Sequence, residues 1–469
     1  MGLWTRKAIE SAHEGDGPKL RRSLGPLNLV ALGVGAIVGT GIYALIGEAS
    51  GLAGPGVMIS FLVAGAVCAA VALCYGELAS MMPASGSAYT YSYVAVGELL
   101  AWVIGWALIL EYSVVCAAVA VGWSGYATGF LAGLGIELPS YLTAGPDAGG
   151  IINLPAIVIL FLVAGLLCVG TRESALVNTI LVVFKLAALL LFIVLALPHF
   201  DASHFTPFMP NGFGATEGGD GVKVGVMAAA AIIFFAFYGF DAVSTAAEEA
   251  KNPARDLAIG VIGSMIVCTA LYILVAAAAV GALAPAEFAA SPEPLAHIIR
   301  TLGYPELATA IAGVAVIAMP TVILAFLFGQ SRIFFVMARD GLLPRWLGAV
   351  NEKRGAPVVV TIATAALVSI IAGLMPLGEI AALANAGTLA AFIAVAATVM
   401  VMRRRDPSRA RPFRTPFAWV LAPFAILGCI YLFLSLQTGT QIRFFIWIAL
   451  GLVIYGAMHF WRGRKRVAA

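Results

Sequence analysis

Twelve apolar stretches alternate with short polar segments along the chain, at 27–47, 57–77, 98–122, 153–170, 177–197, 225–246, 258–282, 306–337, 358–374, 380–401, 417–437 and 443–461. Each has the length and character of a helix that crosses a hydrocarbon layer. The pattern predicts an all-α polytopic membrane protein with 12 transmembrane helices. It divides into an N-terminal tail (1–24), five helices in 25–198, five more in 225–402, two in 417–461 and a C-terminal tail (462–469).

Two of the stretches are interrupted from within. In the first, an uncharged run from Ser23 to Gly47 carries glycines at 33, 35, 39 and 41. A glycine costs about 1 kcal/mol relative to alanine in a helix interior, so this span should unwind readily at mid-membrane. Unwound backbone in hydrocarbon is tolerated only where it is buried in protein or lines a cavity. The NH groups freed at Gly39, Thr40 and Gly41 can receive an anion such as a carboxylate. The same spacing also fits close helix packing, because Gly35 and Gly39 form a small-xxx-small pair. The second interruption is Ile233-Phe234-Phe235-Ala236-Phe237-Tyr238-Gly239-Phe240-Asp241, an aromatic cluster around a glycine with an acid two residues later. The first and sixth spans are an odd number of helices apart and so run in opposite directions. Broken helices at matching places of two five-helix halves point to an inverted-repeat transporter with its site at mid-membrane.

Composition and charge agree with that class. Of 469 residues 61% are hydrophobic and 11% charged, with a mean hydropathy of +0.99, whereas a soluble domain carries about 25% charged residues. The six cysteines (68, 74, 116, 168, 268 and 429) sit in apolar runs without CxxC pairing and read as small core residues. The first 26 residues are polar and basic, so no cleavable signal peptide is expected. With the N-terminus inside, 23 of the 27 Lys and Arg residues fall on the cytoplasmic side, and the 123–152 segment has none. The positive-inside rule then places both termini in the cytoplasm of a multi-pass plasma-membrane (bacterial inner-membrane) protein.

Several motifs in order resemble the amino acid–polyamine–organocation superfamily, and within it the bacterial relatives of the cationic amino acid transporters. They are Gly33-Val34-Gly35-Ala36-Ile37-Val38-Gly39-Thr40-Gly41-Ile42, Cys74-Tyr75-Gly76-Glu77-Leu78-Ala79, Pro83-Ala84-Ser85-Gly86-Ser87-Ala88-Tyr89 and Gly170-Thr171-Arg172-Glu173-Ser174-Ala175. Phe240 to Pro253, Arg339-Asp340-Gly341-Leu342-Leu343-Pro344 and Arg411-Pro412-Phe413-Arg414 complete the set. The resemblance implies a leucine-transporter-type 5+5 inverted repeat plus two C-terminal helices. It implies that an amino acid's carboxylate rests on Gly39, Thr40 and Gly41. The ammonium would rest on carbonyls of Ala36, Ile37, Phe234, Ala236 and Phe237, with Phe234 and Phe237 covering the ligand. Helix N-termini suit anions and C-terminal carbonyl ends suit cations, in keeping with this arrangement.

Ionisable groups inside a membrane are expensive and functional by default. Lys185 lies in Val182-Val183-Phe184-Lys185-Leu186-Ala187-Ala188, too deep to snorkel, and burial disfavours its charged form. In related transporters without sodium dependence, a lysine on the fifth helix stands where sodium otherwise ties that helix to the first; a permanently paired structural lysine is the other reading. Glu111 is a candidate partner for Lys185, a proton carrier, or one half of a structural ion pair. Asp241 is a second proton-site candidate or the cap of the helical segment after the break. Glu77 and Glu248 read as gate or loop contacts, and Arg332 as an interfacial anchor or inner-gate residue.

The resemblance also places Ile317-Ala318-Met319-Pro320-Thr321 against the substrate's side chain. Members taking cationic substrates carry a small polar residue where this chain has Met319, and a thioether offers a guanidinium no partner. Pro320 departs from the family pattern and is expected to kink the helix. The expectation is therefore a proton-coupled, sodium-independent carrier of small neutral amino acids, with a cationic amino acid or polyamine carrier, or an exchanger, as the alternative. No His-Glu-x-x-His motif is present, and histidines 13, 199, 204, 297 and 459 are scattered, which argues against an enzyme. Repeated pore-lining rings, the mark of a channel, are also missing from the pattern. The expected partners are an amino acid, protons and the lipid bilayer, with no nucleic acid, cofactor or metal.

Overall fold

Within hydrocarbon a backbone must satisfy its own amides and carbonyls, and a chain this apolar does so by forming helices nearly throughout. The computed structural model describes residue 6 and residues 25–82, 87–169, 175–219, 221–240, 243, 251–348 and 358–467. Among these the helices are α1 (Pro26–Ile37), α2 (Thr40–Tyr43), α3 (Leu45–Ala53), α4 (Val57–Met81), α5 (Ser87–Ala95), α6 (Glu98–Gly133), α7 (Leu154–Val169), α8 (Ala175–Ala196) and α9 (Val226–Ile233). After them come α10 (Pro253–Ala282), a single helical turn at Pro285–Phe288, α11 (Pro294–Thr301), α12 (Pro305–Ala318), α13 (Pro320–Arg339), α14 (Val358–Leu374), α15 (Leu377–Arg405), α16 (Ala418–Ser435) and α17 (Thr438–Val467). Among the described residues, eight helical stretches are long and apolar enough to cross a membrane, and four shorter apolar helices accompany them. The sheet content among the described residues is one short hairpin, Thr216–Glu217 against Lys223–Val224. Asp241, Glu248 and the side chain of Arg332 lie outside the described part.

Burial sorts the helices. α6 and α15 are buried along most of their length and form the centre, while α17 is exposed over most of Thr438–His459. Leu162, Val194, Ile370, Leu427 and Val453 are exposed on outer helices, a pattern that suits lipid tails and not water. The six cysteines are buried, as small core residues should be.

The two interruptions take different forms. α1 stops at Ile37, where Val38 turns extended (φ −72°, ψ 107°), and the helix restarts at Thr40 to run through α2 into α3. α9 instead tightens into a 3₁₀ turn over Phe234–Phe237, after which Tyr238 is extended and Gly239 adopts φ +101°. The two breaks meet backbone to backbone. A Cβ on Gly41 would lie 2.2 Å from Ala236 Cα, and one on Gly239 would lie 2.6 Å from the Ala36 carbonyl oxygen. The Tyr272 hydroxyl on α10 bridges them, 3.1 Å from both the Ile37 and the Ala236 carbonyl oxygens. The glycines earlier in α1 serve packing: a Cβ on Gly33 would meet Ser264, and one on Gly35 would meet Val182 of α8.

At the far end of α4, Glu77 is 1% exposed and enclosed by cations. Arg403 donates to both carboxylate oxygens at 3.0 and 2.6 Å, Arg411 Nε stands 3.2 Å away, and the Thr415 amide donates at 2.8 Å. The carboxylate thus ties α4 to the end of α15 and to the segment leading into α16. The expected gate or loop contact at Glu77 is a buried multi-arginine clasp.

Candidate functional site

A small cavity, with about 20 Å³ open to the centre of a water-sized sphere, lies where the two breaks face α6 and α13. One end is polar and made of backbone: Ala36 and Ile37 at the close of α1, then Gly39, Thr40 and Gly41 at the restart. Among the described residues, the amides of Gly39, Thr40 and Gly41 have no acceptor. The Thr40 hydroxyl is likewise without a partner although the residue is only 1% exposed. A Cβ on Gly122 of α6 would fall 2.4 Å from the Thr40 methyl carbon, so that methyl fills the hollow the glycine leaves. Orphan donors in a buried place cost about 1–3 kcal/mol each unless a ligand or water accepts from them. The end of α1 adds partial negative charge and the start of α2 partial positive charge. A zwitterion matches that pairing.

The other end is apolar. Val115 and Val119 come from α6, Val322 and Phe326 from α13, and Phe235 and Tyr238 from the second break. None of these lining side chains is charged. Phe234 and Phe237, expected over the ligand, do not line this cavity. Phe234 packs edge-on to Phe392 at 5.7 Å, and Phe237 packs against Phe61 and Tyr272 at 6.4 and 5.5 Å. The reason is the 3₁₀ turn, in which residues three apart share a face, so Phe235 and Tyr238 point one way and Phe234 and Phe237 another. Ala236 is used in the contact with Gly41 and in accepting the Tyr272 hydroxyl, and does not line the cavity.

Met319 is buried but lies outside the lining. It precedes Val322 and Phe326 by three and seven residues, so helical spacing puts it on the same stripe one turn earlier. Pro320, which has no amide proton to donate, divides α12 from α13 there, and Met319 between them keeps helical angles (φ −65°, ψ −35°).

Lys185 and Glu111 are both buried and neither lines the cavity. The Lys185 carbonyl accepts from the Tyr43 hydroxyl at 2.8 Å, which fastens α8 to the restarted first helix. Tyr43 in turn gives its own carbonyl to Tyr126 of α6 at 2.6 Å. Glu111 sits one turn before Val115 on the same stripe of α6. A Cβ on Gly387 of α15 would come 3.3 Å from its Cβ. Val115, Val119, Phe235, Tyr238, Val322 and Phe326 were not anticipated from the sequence. The aromatic run around Gly239 located the segment, but its face depended on the turn type.

Comparison with known proteins places this geometry in context. Residues 24–458 match the family described as amino acid permease. Over 440 residues the chain is 46% identical to the branched-chain amino acid permease BcaP of Bacillus subtilis, covering 93% of this chain and 92% of that one. It is 39% identical over 457 residues to a methylthioribose transporter of the same organism, covering 97% of each. To the vacuolar cationic amino acid transporter 4 of Arabidopsis thaliana it is 35% identical over 421 residues, 86% of this chain and 68% of the relative. These relatives are permeases and transporters, not enzymes.

Proposed function

Because this chain belongs to the amino acid permease family, we propose that it is a proton-coupled, sodium-independent secondary transporter of neutral aliphatic amino acids, working by alternating access around the two broken helices. The single observation that carries the substrate reading is the cavity's division. Unsatisfied amides and the Thr40 hydroxyl stand at one end, and valine side chains with uncharged phenylalanine and tyrosine rings at the other. A carboxylate takes the donors, the ammonium faces the carbonyl end of α1, and an aliphatic side chain fills the apolar end. The name of the B. subtilis relative makes valine, leucine and isoleucine the first substrates to try. A guanidinium or ammonium side chain would find no counter-charge on the lining, which speaks against the cationic alternative. Competition by a panel of amino acids for leucine and alanine uptake tests this: strong inhibition by arginine at micromolar concentration would establish that alternative instead.

In this reading the chain spans the membrane twelve times as a 5+5 inverted repeat with two further helices, and both termini are cytoplasmic. A cysteine introduced at Asp147 should react with an impermeant reagent in intact cells. Reaction only after the inner face is exposed would overturn the orientation.

The coupling reading rests on Lys185, with Glu111 and Asp241 as the acids that could share its proton. An ammonium at contact distance from a cation position opposes the ion by about 4 kcal/mol at an effective dielectric of about 20, enough to exclude sodium. The expected result in proteoliposomes is accumulation driven by an inward proton gradient, unaffected by sodium, and weakening as the outside pH rises. Lys185→Ala should lose accumulation, because neither an ion nor an amine then links α8 to the first helix. Accumulation that follows sodium and ignores pH would rule the mechanism out.

A further inference from the structure

Behind the apolar end of the cavity, a buried chain of polar groups runs from α15 to the broken helix. Asn385 is fully buried, and its amide nitrogen lies 2.7 Å from the Ala231 carbonyl oxygen and 2.9 Å from that of Ile232. Carbonyls only accept, so both amide protons go to α9 and Oδ1 remains to accept from the Tyr238 hydroxyl at 2.6 Å. With that proton committed, the 2.7 Å contact between Thr388 Oγ1 and the Tyr238 oxygen is a bond that Thr388 donates. The order Thr388, Tyr238, Asn385, then the carbonyls of α9 therefore has one direction, and each bond polarises the next.

The two carbonyls at the end of this chain are not arbitrary. In an unbroken α-helix they would accept from the amides of Phe235 and Ala236. The tightening to a 3₁₀ turn at Phe234–Phe237 draws those amides toward nearer carbonyls; the Phe234 amide keeps a bond to the Ile232 carbonyl, and Asn385 adds a donor to both carbonyls. The same turn is what directs Phe235 and Tyr238 into the cavity, with their rings 4.9 Å apart.

We propose that Asn385 and Thr388 are positioning residues for side-chain selection: without touching the substrate, they hold the second break in the form that presents Phe235 and Tyr238 as an apolar wall. The hydroxyl of Tyr238 has no proton left to give a substrate, so a residue that is polar by name serves the cavity as a ring. This inference rests on the reading of the cavity as a site for neutral aliphatic amino acids. On that reading alanine offers the apolar end a single methyl group, while leucine offers it a longer side chain that depends more on the wall. Loosening the wall should therefore weaken leucine more than alanine.

The test uses the full-length protein in proteoliposomes, with exchange of labelled leucine and alanine by the wild type, Thr388→Val, Thr388→Ser and Asn385→Asp. Thr388→Val keeps the shape and removes the donor. It should raise the leucine KM about tenfold, the equivalent of one net hydrogen bond, and leave the alanine KM within about twofold. Thr388→Ser, which keeps the hydroxyl, should restore leucine. Asn385→Asp places an acceptor against two carbonyls and should abolish leucine exchange. If that variant does not reach the membrane, the valine and serine pair still decides. If the wild type exchanges both amino acids but Thr388→Val changes both KM values by one factor, or only the maximal rate, the substrate reading stands and the positioning role is overturned. A wild type that exchanges neither amino acid overturns the substrate reading and this inference with it.

Discussion

Alanine at Gly41 is expected to abolish transport and to cost folded protein, while alanine at Gly39, two residues away, should leave a folded protein that binds substrate poorly. The two positions share a loop and differ in what faces them. A Cβ on Gly41 would lie 2.2 Å from Ala236 Cα, 2.5 Å from its Cβ and 2.8 Å from its amide nitrogen, so backbone would have to move. Overpacking of this kind costs roughly 1–3 kcal/mol even where side chains can give way. Here the strain separates the two breaks and pulls apart the carbonyls of Ile37 and Ala236 that Tyr272 bridges. At Gly39 the nearest atom is Val322 Cγ2 at 3.6 Å, an ordinary contact, and the extended backbone there (φ −160°) suits any residue. The methyl would instead occupy the cavity in front of the unpaired amides. Size-exclusion profiles of the detergent-solubilised variants, followed by binding measured through thermal shift, separate the two effects. If Gly39→Ala kept wild-type affinity, the carboxylate would have to bind elsewhere.

Replacing Glu77 by glutamine should be the most damaging single change outside the cavity. It removes the negative charge facing Arg403, whose side chain is 12% exposed, and Arg411, whose side chain is 4% exposed. Removing one partner of a buried ion pair strands the other, at a cost of about 3–5 kcal/mol. Because Glu77 also accepts the Thr415 amide, the change loosens the segment entering α16 as well as the end of α15. A large drop in melting temperature is expected for Glu77→Gln, nearly insensitive to salt because the site is dry. Adding Arg411→Gln should recover part of the loss, since it removes one stranded cation. A single variant that melted with the wild type, or a double variant worse than the sum of its parts, would show that the clasp carries no such energy.

Much of this molecule is legible from residues read one at a time. Polar breaks between apolar runs placed the helices, because hydrocarbon leaves a spanning backbone few alternatives. The four glycines around Gly35–Gly41 located the first break, and the aromatic cluster at Gly239 located the second. The residues Ala36, Ile37, Gly39, Thr40 and Gly41, expected at a mid-membrane site, do line the cavity. Their contribution is through backbone at a helix end, and helix ends follow from local sequence.

The side-chain half of the site was decided elsewhere. Whether Phe234 or Phe235 faces inward depends on how the 3₁₀ turn of the break is set against the helices packed around it, which composition does not encode. That turn is stabilised in part by Asn385, which is 150 residues distant in sequence from Phe235 and reads in isolation as an unremarked polar residue in an apolar helix. Glu77 shows the same limit: its spacing placed it at a helix end, but only the return of α15 and the following segment put Arg403 and Arg411 upon it. Local sequence determined where the backbone must give way. Which side chains fill the space so created was determined by partners that only the folded chain brings within reach.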